Sequence, residues 1–319
     1  MTRVRILREL SDLRSATADQ RRSVVTIGAY DGVHLGHQAV IRQVRQKAGE
    51  LGCDSVVITF DKHPASVVRP ESAPKLLTNI DQKLELLAAT GVDATYIVAF
   101  TDEQAHENPA DFVRRVLVDG LSARLIVIGE DFHFGYQRMG NVALLRELGR
   151  QHDFEVSPIQ LIARPDDIDE PVSSTAIRRA LAGGQVKVVA RLLGRPYETR
   201  GVVIHGDTRG GQIGFPTANI EVSNVMCLPA DGVYAGRCTL PDGTRYGCAI
   251  NLGRRPTFFE HADHSILEAH LIDFTGNLYG QELRVTFEHF LRSERKFENL
   301  EALKAQLGVD VAHARSMMR

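Results

Sequence analysis

The chain has 319 residues, which is long for one hydrophobic core and sufficient for two domains. Its hydrophobic content of 43% and charged content of 24% are ordinary for a globular protein. The formal net charge of −2 offers no general attraction to nucleic acid or to an anionic membrane. We therefore expect neither as a partner, and any anion-binding site must be local.

The N-terminal segment and the cysteines bear on the cellular compartment. Arginines stand at positions 3, 5 and 8, where a signal peptide needs an apolar core, and no apolar run reaches the length of a membrane span. The four cysteines are widely spaced and form no CxxC pair: Cys53, Cys227, Cys238 and Cys248. These features predict a cytoplasmic protein whose cysteines are reduced and structural.

Apolar runs and helix-length segments alternate through the first half. Strands are predicted at 24–27, 55–60, 94–100 and 124–129, and an edge strand containing a proline at 155–159. Helices are predicted between them, at 39–44, 80–89, 109–118 and 141–152. The alternation predicts a Rossmann-like α/β domain with a parallel sheet, which would bind ligands at the carboxyl ends of its strands.

A glycine-rich turn, residues 28–37, joins the first predicted strand to the first helix. Its three glycines permit tight bends and close approach of the backbone to a ligand. The helix that follows offers N–H groups and the positive end of its dipole to an anion. Within the turn, His34 and His37 can donate hydrogen bonds to charge that develops at phosphorus. Two nearby histidines could also be metal ligands or surface residues, but a strand–turn–helix setting favours phosphate binding.

Polar and aromatic residues follow two of the other predicted strands. Asp61 and His63 come directly after the second strand, and Asp131 and Phe132 follow the fourth. Because ligands bind at the carboxyl ends of parallel strands, these four residues are candidates for a binding site. The alternatives are that His63 is an ordinary loop residue and that Phe132 belongs to the core.

A cluster of hydroxyl groups begins the last helix of the first half. The cluster comprises Ser173, Ser174 and Thr175, and Arg178 lies one turn after Ser174 on the same side. These residues can cap the N–H groups at the start of the helix or bind a phosphate. The acidic loop before them, residues 165–171, adds no cation for phosphate.

Three motifs of the first half resemble the flavin-nucleotide adenylyltransferase branch of the HxGH nucleotidyltransferases. They are G-x-Y-D-G-V-H-x-G-H from Gly28, G-x-D-F-x-F-G from Gly129 and S-S-T-x-I-R from Ser173. The resemblance implies transfer of AMP from ATP to FMN, with catalytic residues His34, His37, Ser174 and Arg178. It implies that ATP is bound by Gly28, Tyr30, Asp31, Gly36, Ser173 and Thr175. It also implies that the flavin is bound by Asp61, His63, Asp131 and Phe132.

The hydrophobic period changes after a break at 182–185. A short helix at 188–193 is followed by closely spaced strands, predicted at 199–205, 232–239, 245–252, 264–274 and 282–291. Short, glycine-punctuated strands of this kind predict a small antiparallel β-barrel, closed by an amphipathic helix from residue 300. We therefore divide the chain into domains 1–184 and 185–319.

A second glycine-rich loop runs from Gly206 to Gly214, and its amides can fold over phosphates. In the extended segment that follows, Thr217 and Asn219 are two residues apart and present their oxygens to the same side. Such oxygens suit Mg²⁺, which takes few protein ligands besides nucleotide oxygens and water. A hairpin loop followed by a ladder of polar side chains is the alternative.

Four motifs of the second half resemble riboflavin kinase. They are G-x-x-x-G-F-P-T-A-N from Gly210, P-A-D-G-V-Y from Pro229, N-L-G-R-R-P-T from Asn251 and L-E-A-H-L-I-D-F from Leu267. The resemblance implies phosphorylation of riboflavin by MgATP. It implies that ATP is bound by Gly206, Gly214 and Pro216, and that Mg²⁺ is bound by Thr217 and Asn219.

Two charged residues of the second half have roles that depend on this resemblance. Glu268 alternates with Leu267, Ala269 and Leu271, so it lies on the opposite face of its strand from these apolar side chains. The resemblance implies that Glu268 is the general base for the riboflavin 5′-hydroxyl. It implies a flavin contact for Arg292, for which a place on a charged solvent face is an equal alternative.

The resemblance as a whole is to the bacterial bifunctional riboflavin kinase/FAD synthetases, and it covers nearly the entire chain. It implies riboflavin, FMN, FAD and ATP as ligands, with Mg²⁺ as cofactor. A flavin- or nucleotide-binding regulator that had lost one activity would be expected to lack His37, Arg178 or Glu268, and all three are present. Other HxGH adenylyltransferases, for pantetheine phosphate or nicotinamide mononucleotide, do not account for the P-T-A-N barrel. The sequence does not determine the oligomeric state.

Overall fold

A computed structural model describes residues 4–9, 11–12, 22–159, 171–206, 214–253 and 264–318. The glycines at 210 and 211, motif residues 254–257 and residues 166–170 of the acidic loop lie outside the described residues. The chain divides into two compact units, the first ending at Ser173 and the second beginning at Ser174. The boundary predicted after Gly184 stays a prediction.

The first unit contains a six-stranded sheet with the order β1-β4-β3-β2-β5-β6. Its strands are β1 Arg5–Leu7, β2 Ser23–Ile27, β3 Asp54–Phe60, β4 Ala94–Val98, β5 Ala123–Gly129 and β6 Glu155–Ile159. Each described pair of neighbouring strands is parallel, as the alternating pattern predicted. Strand β6, which contains Pro158, lies at the edge of the sheet as predicted, where a missing N–H costs least.

Helices cover this sheet, and buried side chains fill both of its faces. They are α1 Leu35–Leu51, α2 Ala65–Val68, α3 Ile80–Ala89, α4 Asp102–Ala105, α5 Pro109–Phe112 and α6 Val142–His152. The predicted helix 109–118 is confirmed in position, but Val113–Val118 winds as a π-helix. All five residues of β2 are buried, which explains why that strand reads as a continuous apolar run.

The order of the strands places the glycine-rich turn at a special point of the sheet. From β2 the chain proceeds to β3 and β4 on one side, while β5 and β6 lie on the other side. The order in which the chain adds strands therefore reverses between β2 and β5. Open α/β sheets bind ligands at such a point, outside the carboxyl ends of the strands. The turn 28–37 follows β2, and the segment that begins with Glu130 follows β5.

The second unit contains a closed barrel with the order β10-β11-β8-β7-β12-β9. Its strands are β7 Tyr197–Ile204, β8 Ala218–Ser223, β9 Gly232–Thr239, β10 Arg245–Leu252, β11 His264–Leu271 and β12 Glu282–Arg292, and its helices are α7 Ser174–Ala182, α8 Val186–Leu193 and α9 Leu300–Met317. The predicted antiparallel barrel is confirmed. The predicted strand 264–274 is too long, because the strand ends at Leu271 and Asp273 turns the chain with a φ of 61°.

Aromatic side chains fill the inside of the barrel. Tyr197, Tyr234 and Phe287 are fully buried, and the Tyr234 ring meets Phe287 edge to face at 5.3 Å between centroids. The four cysteines are free in the structure, and Cys238 and Cys248 are buried. Burial raises the pKa of the Cys238 thiol to about 12, so this thiol stays protonated at neutral pH. Among the described residues, none of the helices is both long enough and apolar enough to cross a membrane.

Candidate active sites

The glycine-rich turn, residues 28–37, is called the histidine turn below, and its backbone is strained. Tyr30 and Val33 have φ values of 49° and 39°, and Gly32 has 83°. A positive φ is costly for a β-branched residue, so Val33 is a genuine outlier. Its side chain is only 1% exposed, and Tyr30 is buried as well. The packing of these two side chains therefore holds the backbone in its strained form just before His34.

Asp31 anchors the histidine turn to the segment before α3. Its buried carboxylate accepts hydrogen bonds from the N–H groups of Leu77, at 3.0 and 3.1 Å, and Thr78, at 3.1 Å. The Thr78 hydroxyl in turn accepts a hydrogen bond from the Gly32 N–H at 3.2 Å. Tyr30 is also engaged internally, because its hydroxyl is hydrogen-bonded to Thr26 at 2.7 Å. The side chains of Tyr30 and Asp31 therefore both hold the histidine turn in place.

The two histidines of the turn lie against each other. Their rings are stacked, with centroids 3.6 Å apart and planes 16° from parallel. His34 caps α1, since its Nδ1 accepts a hydrogen bond from the His37 N–H at 3.3 Å. The proton of a neutral His34 must then be on Nε2. Gly36 makes room for this arrangement, because a Cβ there would lie 3.2 Å from the His34 ring and 3.5 Å from the Val172 carbonyl oxygen.

His37 is neutral at physiological pH. Burial lowers its pKa well below the ordinary value, and electrostatic interactions with His34 and Lys83 lower that pKa further. The Tyr30 ring packs on His37 with centroids 4.8 Å apart. Nδ1 of His37 is one of three buried side-chain atoms that lack a hydrogen-bond partner among the described residues. A neutral ring of this kind can donate one hydrogen bond to an anion without the cost of a buried charge.

Sequence reasoning missed Lys83, a buried lysine beside the histidine turn. Its side chain is on α3 and only 6% of the residue is exposed. Its Nζ donates hydrogen bonds to the Phe60 carbonyl at 2.7 Å and to the Ala29 carbonyl at 3.3 Å. One signal was available: Lys83 stands four residues before the buried Leu87, so both lie on the inward face of α3.

The residues predicted to bind the flavin follow β3 and β5 as expected. Asp61 accepts a hydrogen bond from the Phe100 N–H at 2.9 Å, which joins the ends of β3 and β4. His63 accepts one from the Ala65 N–H at 3.1 Å and so holds the start of α2. Asp131 is exposed after β5. The half-buried Phe132 packs against the core and is stacked on Phe134, with ring centroids 5.5 Å apart. These are the contacts expected if Phe132 belongs to the core.

The hydroxyl cluster spans the boundary of the two units. Ser173 ends the first unit, and within that unit the Val172 carbonyl runs beside Gly36 of the histidine turn. Ser174 begins α7 in the second unit, and Arg178 lies one turn later on the same side of that helix. Ser174 and Arg178 are both half-buried, whereas Thr175 is exposed. In the second unit α7 is joined to the barrel by a hydrogen bond from the Ala230 N–H to the Leu181 carbonyl at 2.9 Å.

Strand register in the barrel brings three polar residues into one row. Glu268 on β11 stands opposite Asn219 on β8 and opposite Asn251 on β10. Residues directly opposite in antiparallel strands share a face, so the three side chains form a polar row. Leu267 and Ala269, which flank Glu268, are completely buried inside the barrel, whereas Glu268 is half-buried. This confirms the predicted orientation of Glu268, and it adds Asn251, to which the sequence assigned no role.

Gly206, the first residue of the second glycine-rich loop, packs against Asn219 of the P-T-A-N segment. Asn219 is 8% exposed, and a Cβ at Gly206 would lie 2.2 Å from its side-chain nitrogen, so only glycine fits there. Gly214 has a φ of 88°, which favours glycine at the end of the loop. Nδ1 of His270 donates a hydrogen bond to the Pro216 carbonyl at 2.8 Å, which fixes the segment that carries Thr217. No group of three or more His, Cys, Asp and Glu side chains is placed to hold a metal ion in the part of the chain that the structure describes.

Arg292 is paired with a buried carboxylate that the sequence did not point out. Its guanidinium donates to Asp310 of α9, with Nε–Oδ1 at 3.0 Å and Nη2–Oδ2 at 2.7 Å. Asp310 is 3% exposed and also accepts a hydrogen bond from Gln306 at 2.8 Å. Arg292 therefore joins the end of β12 to the closing helix α9. Its guanidinium is engaged by Asp310, which neither a flavin contact nor a place on a solvent face had predicted. A second ion pair, between Asp273 and Arg315, lowers the pKa of the Asp273 carboxyl.

Comparisons with known proteins agree with both halves of this description. Relatives from Pseudomonas fluorescens, Haemophilus influenzae and Escherichia coli K12 are 38%, 37% and 34% identical to the chain. The alignments cover 98%, 95% and 98% of this chain and 98%, 97% and 97% of the relatives, all three named bifunctional riboflavin kinase/FMN adenylyltransferase. A crystal structure from Streptococcus pneumoniae, titled macrolide-efflux protein, has a TM-score of 0.80 at 30% identity and covers 92% of this chain and 94% of that one.

A parallel α/β sheet with a histidine turn, followed by a closed barrel with a polar row, defines a two-domain transferase that uses ATP. Residues 16–176 match the family model described as FAD synthetase, and residues 193–318 match the one described as riboflavin kinase. The chain belongs to the family of bifunctional riboflavin kinase/FMN adenylyltransferases, enzymes of FMN and FAD biosynthesis.

Proposed function

We propose that the barrel domain phosphorylates riboflavin and that the α/β domain converts the resulting FMN to FAD. In the first reaction the riboflavin 5′-oxygen attacks the γ-phosphorus of ATP, its proton passes to Glu268, and ADP leaves. In the second, a phosphate oxygen of FMN attacks the α-phosphorus of ATP, and pyrophosphate leaves. The observation that carries the proposal is that one chain has both the stacked histidine pair at the start of α1 and Glu268 opposite Asn219 in the barrel.

AMP transfer requires positioning and neutralisation of oxygen charge, and no covalent enzyme intermediate. The amino end of α1 supplies N–H groups and a positive dipole end for the phosphates. His34 adds a donor at Nε2, because its Nδ1 is already engaged by the His37 N–H. His37 adds a second donor as a neutral ring, consistent with its lowered pKa. The hydrogen bonds from both donors would strengthen as charge develops on the phosphate oxygens in the transition state.

The proposal for AMP transfer extends to further residues. Ser173, Ser174, Thr175 and Arg178 would hold the triphosphate, and support for this comes from their order in the S-S-T-x-I-R motif. Gly28, Tyr30, Asp31 and Gly36 would contact ATP through the backbone of the histidine turn. The flavin would contact the ends of β3 and β5 through Asp61, His63, Asp131 and Phe132.

Phosphorylation of riboflavin depends on the polar row. An alcohol is a poor nucleophile at neutral pH, and Glu268 is proposed as the base that takes its proton. The half-buried Thr217 and the buried Asn219 offer neutral oxygens, the donor type that Mg²⁺ accepts, and Asn219 stands opposite Glu268. When bound, Mg²⁺ would neutralise charge on the ATP phosphates. Gly206, Gly214 and Pro216 would contact ATP, and Arg292, held by Asp310, would border the flavin.

We also keep the domain division at 184 and the cytoplasmic location as proposals. Gly184 has a φ of 68° and separates α7 from α8, which makes it a natural break in the chain. The two family models leave residues 177–192 unassigned, so they allow a boundary at this point.

Incubation with riboflavin and MgATP tests the two activities together. FMN should appear first and FAD later, as chromatography over time would show. A second incubation with FMN and MgATP should give FAD and pyrophosphate in equal amounts. FMN without FAD would refute the role of the α/β domain, and FAD made only from supplied FMN would refute the role of the barrel. Addition of EDTA should stop both reactions if Mg²⁺ is required.

A further inference from the structure

Lys83 of α3 reaches the carboxyl edge of the sheet from below the histidine turn. Its Nζ is hydrogen-bonded to the Phe60 carbonyl at 2.7 Å and the Ala29 carbonyl at 3.3 Å. Phe60 ends β3, and Ala29 is the second residue after β2, so one ammonium joins the ends of two neighbouring strands. The Thr59 hydroxyl donates a third hydrogen bond within this group, to the Ala29 carbonyl at 3.1 Å.

The location of α3 fixes where this ammonium can be. Asn79 caps the helix and forms a reciprocal capping box with Gln82, which sets its first turn. The two residues before Asn79 donate their N–H groups to Asp31 of the histidine turn. The start of α3 is therefore attached to the turn at two points, through the Asp31 carboxylate and through the Lys83 ammonium.

A lysine that is 94% buried needs opposite charge, and the structure supplies it from both sides. Burial lowers the pKa of Lys83, while the negative charges of Asp31 and Asp61 raise it. Asp31 belongs to the histidine turn, and Asp61 begins the loop after β3. Each carboxylate is itself held by backbone N–H groups, Asp31 by Leu77 and Asp61 by Phe100. The lysine is thus the shared cation between the two loops.

We propose that Lys83 is a positioning residue for AMP transfer, holding the histidine turn against the loop that begins with Asp61. This inference rests on the adenylyltransferase activity proposed above, in which the turn binds ATP and the loop after β3 binds the flavin. In-line attack requires the two substrates to be placed relative to each other within a fraction of an ångström. A rigid bridge between their two loops supplies that placement, and Lys83 does not itself need to touch a substrate.

The same lysine has an electrostatic effect on His37. Among the residues that the structure describes, the titratable groups shown to interact with His37 are His34, Tyr30 and Lys83. A neighbouring positive charge disfavours protonation of an imidazole, so removal of the lysine charge raises the pKa of His37. Burial and His34 continue to lower that pKa, so the expected change is a partial return toward the ordinary value.

Lys83→Met tests the proposal, with Lys47→Met as the matched control on an exposed face of α1. Methionine has similar length and volume but neither charge nor donors. In full-length Lys83→Met, kcat/KM for FAD formation from FMN should fall about 10- to 100-fold. Riboflavin phosphorylation by the barrel should be unchanged and serves as the internal control. NMR of histidine-labelled protein, with His37 assigned from a His37→Gln spectrum, should show its titration midpoint moved to higher pH.

The outcomes separate the possibilities. FAD formation by Lys83→Met within about twofold of the parent overturns the proposal. A fall in FAD formation without any movement of the His37 midpoint overturns the positioning role and leaves Lys83 as packing only. If circular dichroism shows that Lys83→Met does not fold, Lys83→Gln, which keeps N–H donors but carries no charge, replaces it with the same criteria. Failure of the parent and of Lys47→Met to make FAD would instead refute the adenylyltransferase activity itself.

Discussion

The sharpest test of the barrel site is the substitution Glu268→Gln. Glutamine keeps the size and shape of the side chain and removes its basicity. The neighbours of position 268 in the polar row are Asn219 and Asn251, whose amides can pair with a glutamine as well as with a carboxylate. The barrel interior below it, at Leu267 and Ala269, is untouched. We therefore expect folding stability to change by no more than about 0.5 kcal/mol.

The expected effect on the kinase reaction is much larger. Transfer of a proton to a positioned base contributes on the order of 10²–10⁴ in rate. At about 1.4 kcal/mol for each factor of ten, this corresponds to a barrier raised by about 3–5 kcal/mol. Riboflavin and MgATP should still bind, because the substitution removes neither bulk nor hydrogen-bonding capacity. The change should accordingly appear in kcat, with little change in KM.

The assay is steady-state phosphorylation of riboflavin, with FAD formation from supplied FMN as the internal control in the same protein. Glu221→Gln is the matched control variant, because Glu221 is a half-buried glutamate on β8, two residues from Asn219 on the same face. Normal phosphorylation by Glu268→Gln would refute its role as the base. Asp273 is a poor replacement candidate, since its carboxylate is bound by Arg315 at 2.5 and 2.7 Å and its pKa is lowered.

Three further predictions concern the α/β site, the domain boundary and an ion pair. His37→Ala should remove a hydrogen-bond donor to the transition state and slow FAD formation about 10²–10³-fold while FMN accumulates. Unchanged FAD formation would show that the histidine turn has only a structural role. A fragment of residues 1–184 should make FAD from FMN but no FMN from riboflavin; a folded yet inert fragment would show that the site borrows residues from the barrel. Arg315→Gln should lower the free energy of unfolding at pH 7, and this difference should shrink once the pH falls below the ordinary carboxyl pKa of 3.8 and disappear below the lowered pKa of Asp273, where the carboxyl is protonated even beside Arg315. Equal destabilisation at pH 3 and pH 7 would show that the arginine acts through packing.

Elements with a strong local pattern could be predicted from the sequence. The buried run of β2 and the glycines after it identified the histidine turn, and the alternation around Glu268 identified the face on which it lies. Both depend only on residues close together in the chain. Strand β1, Arg5–Leu7, has only three residues, two of them charged or exposed, and its pairing with β4 could not be seen locally. The left-handed conformation of Asp273, which ends β11 early, also has no local signal of sufficient strength.

The polar row shows a different limit. Asn219, Asn251 and Glu268 are far apart in sequence, and their convergence follows from the register of three strands in a closed barrel. A shift of one residue in either pairing would turn an asparagine to the opposite face. Register is set by how the whole apolar interior fits together, so a motif can name Asn251 and Glu268 without revealing that they are neighbours.

Buried charges were the most consequential omission, for a physical reason that Lys83 and Asp310 share. A charged residue within a helical pattern is ordinarily solvated, because burial of a lone charge is costly. Each of these two is buried only because partners from distant segments compensate it: the ends of β2 and β3 with two aspartates for Lys83, and Arg292 with Gln306 for Asp310. The cost of such a charge is repaid only when all partners are in place. Lys83 and Asp310 therefore join segments that are far apart in the sequence, and no local pattern around either residue could reveal its partners.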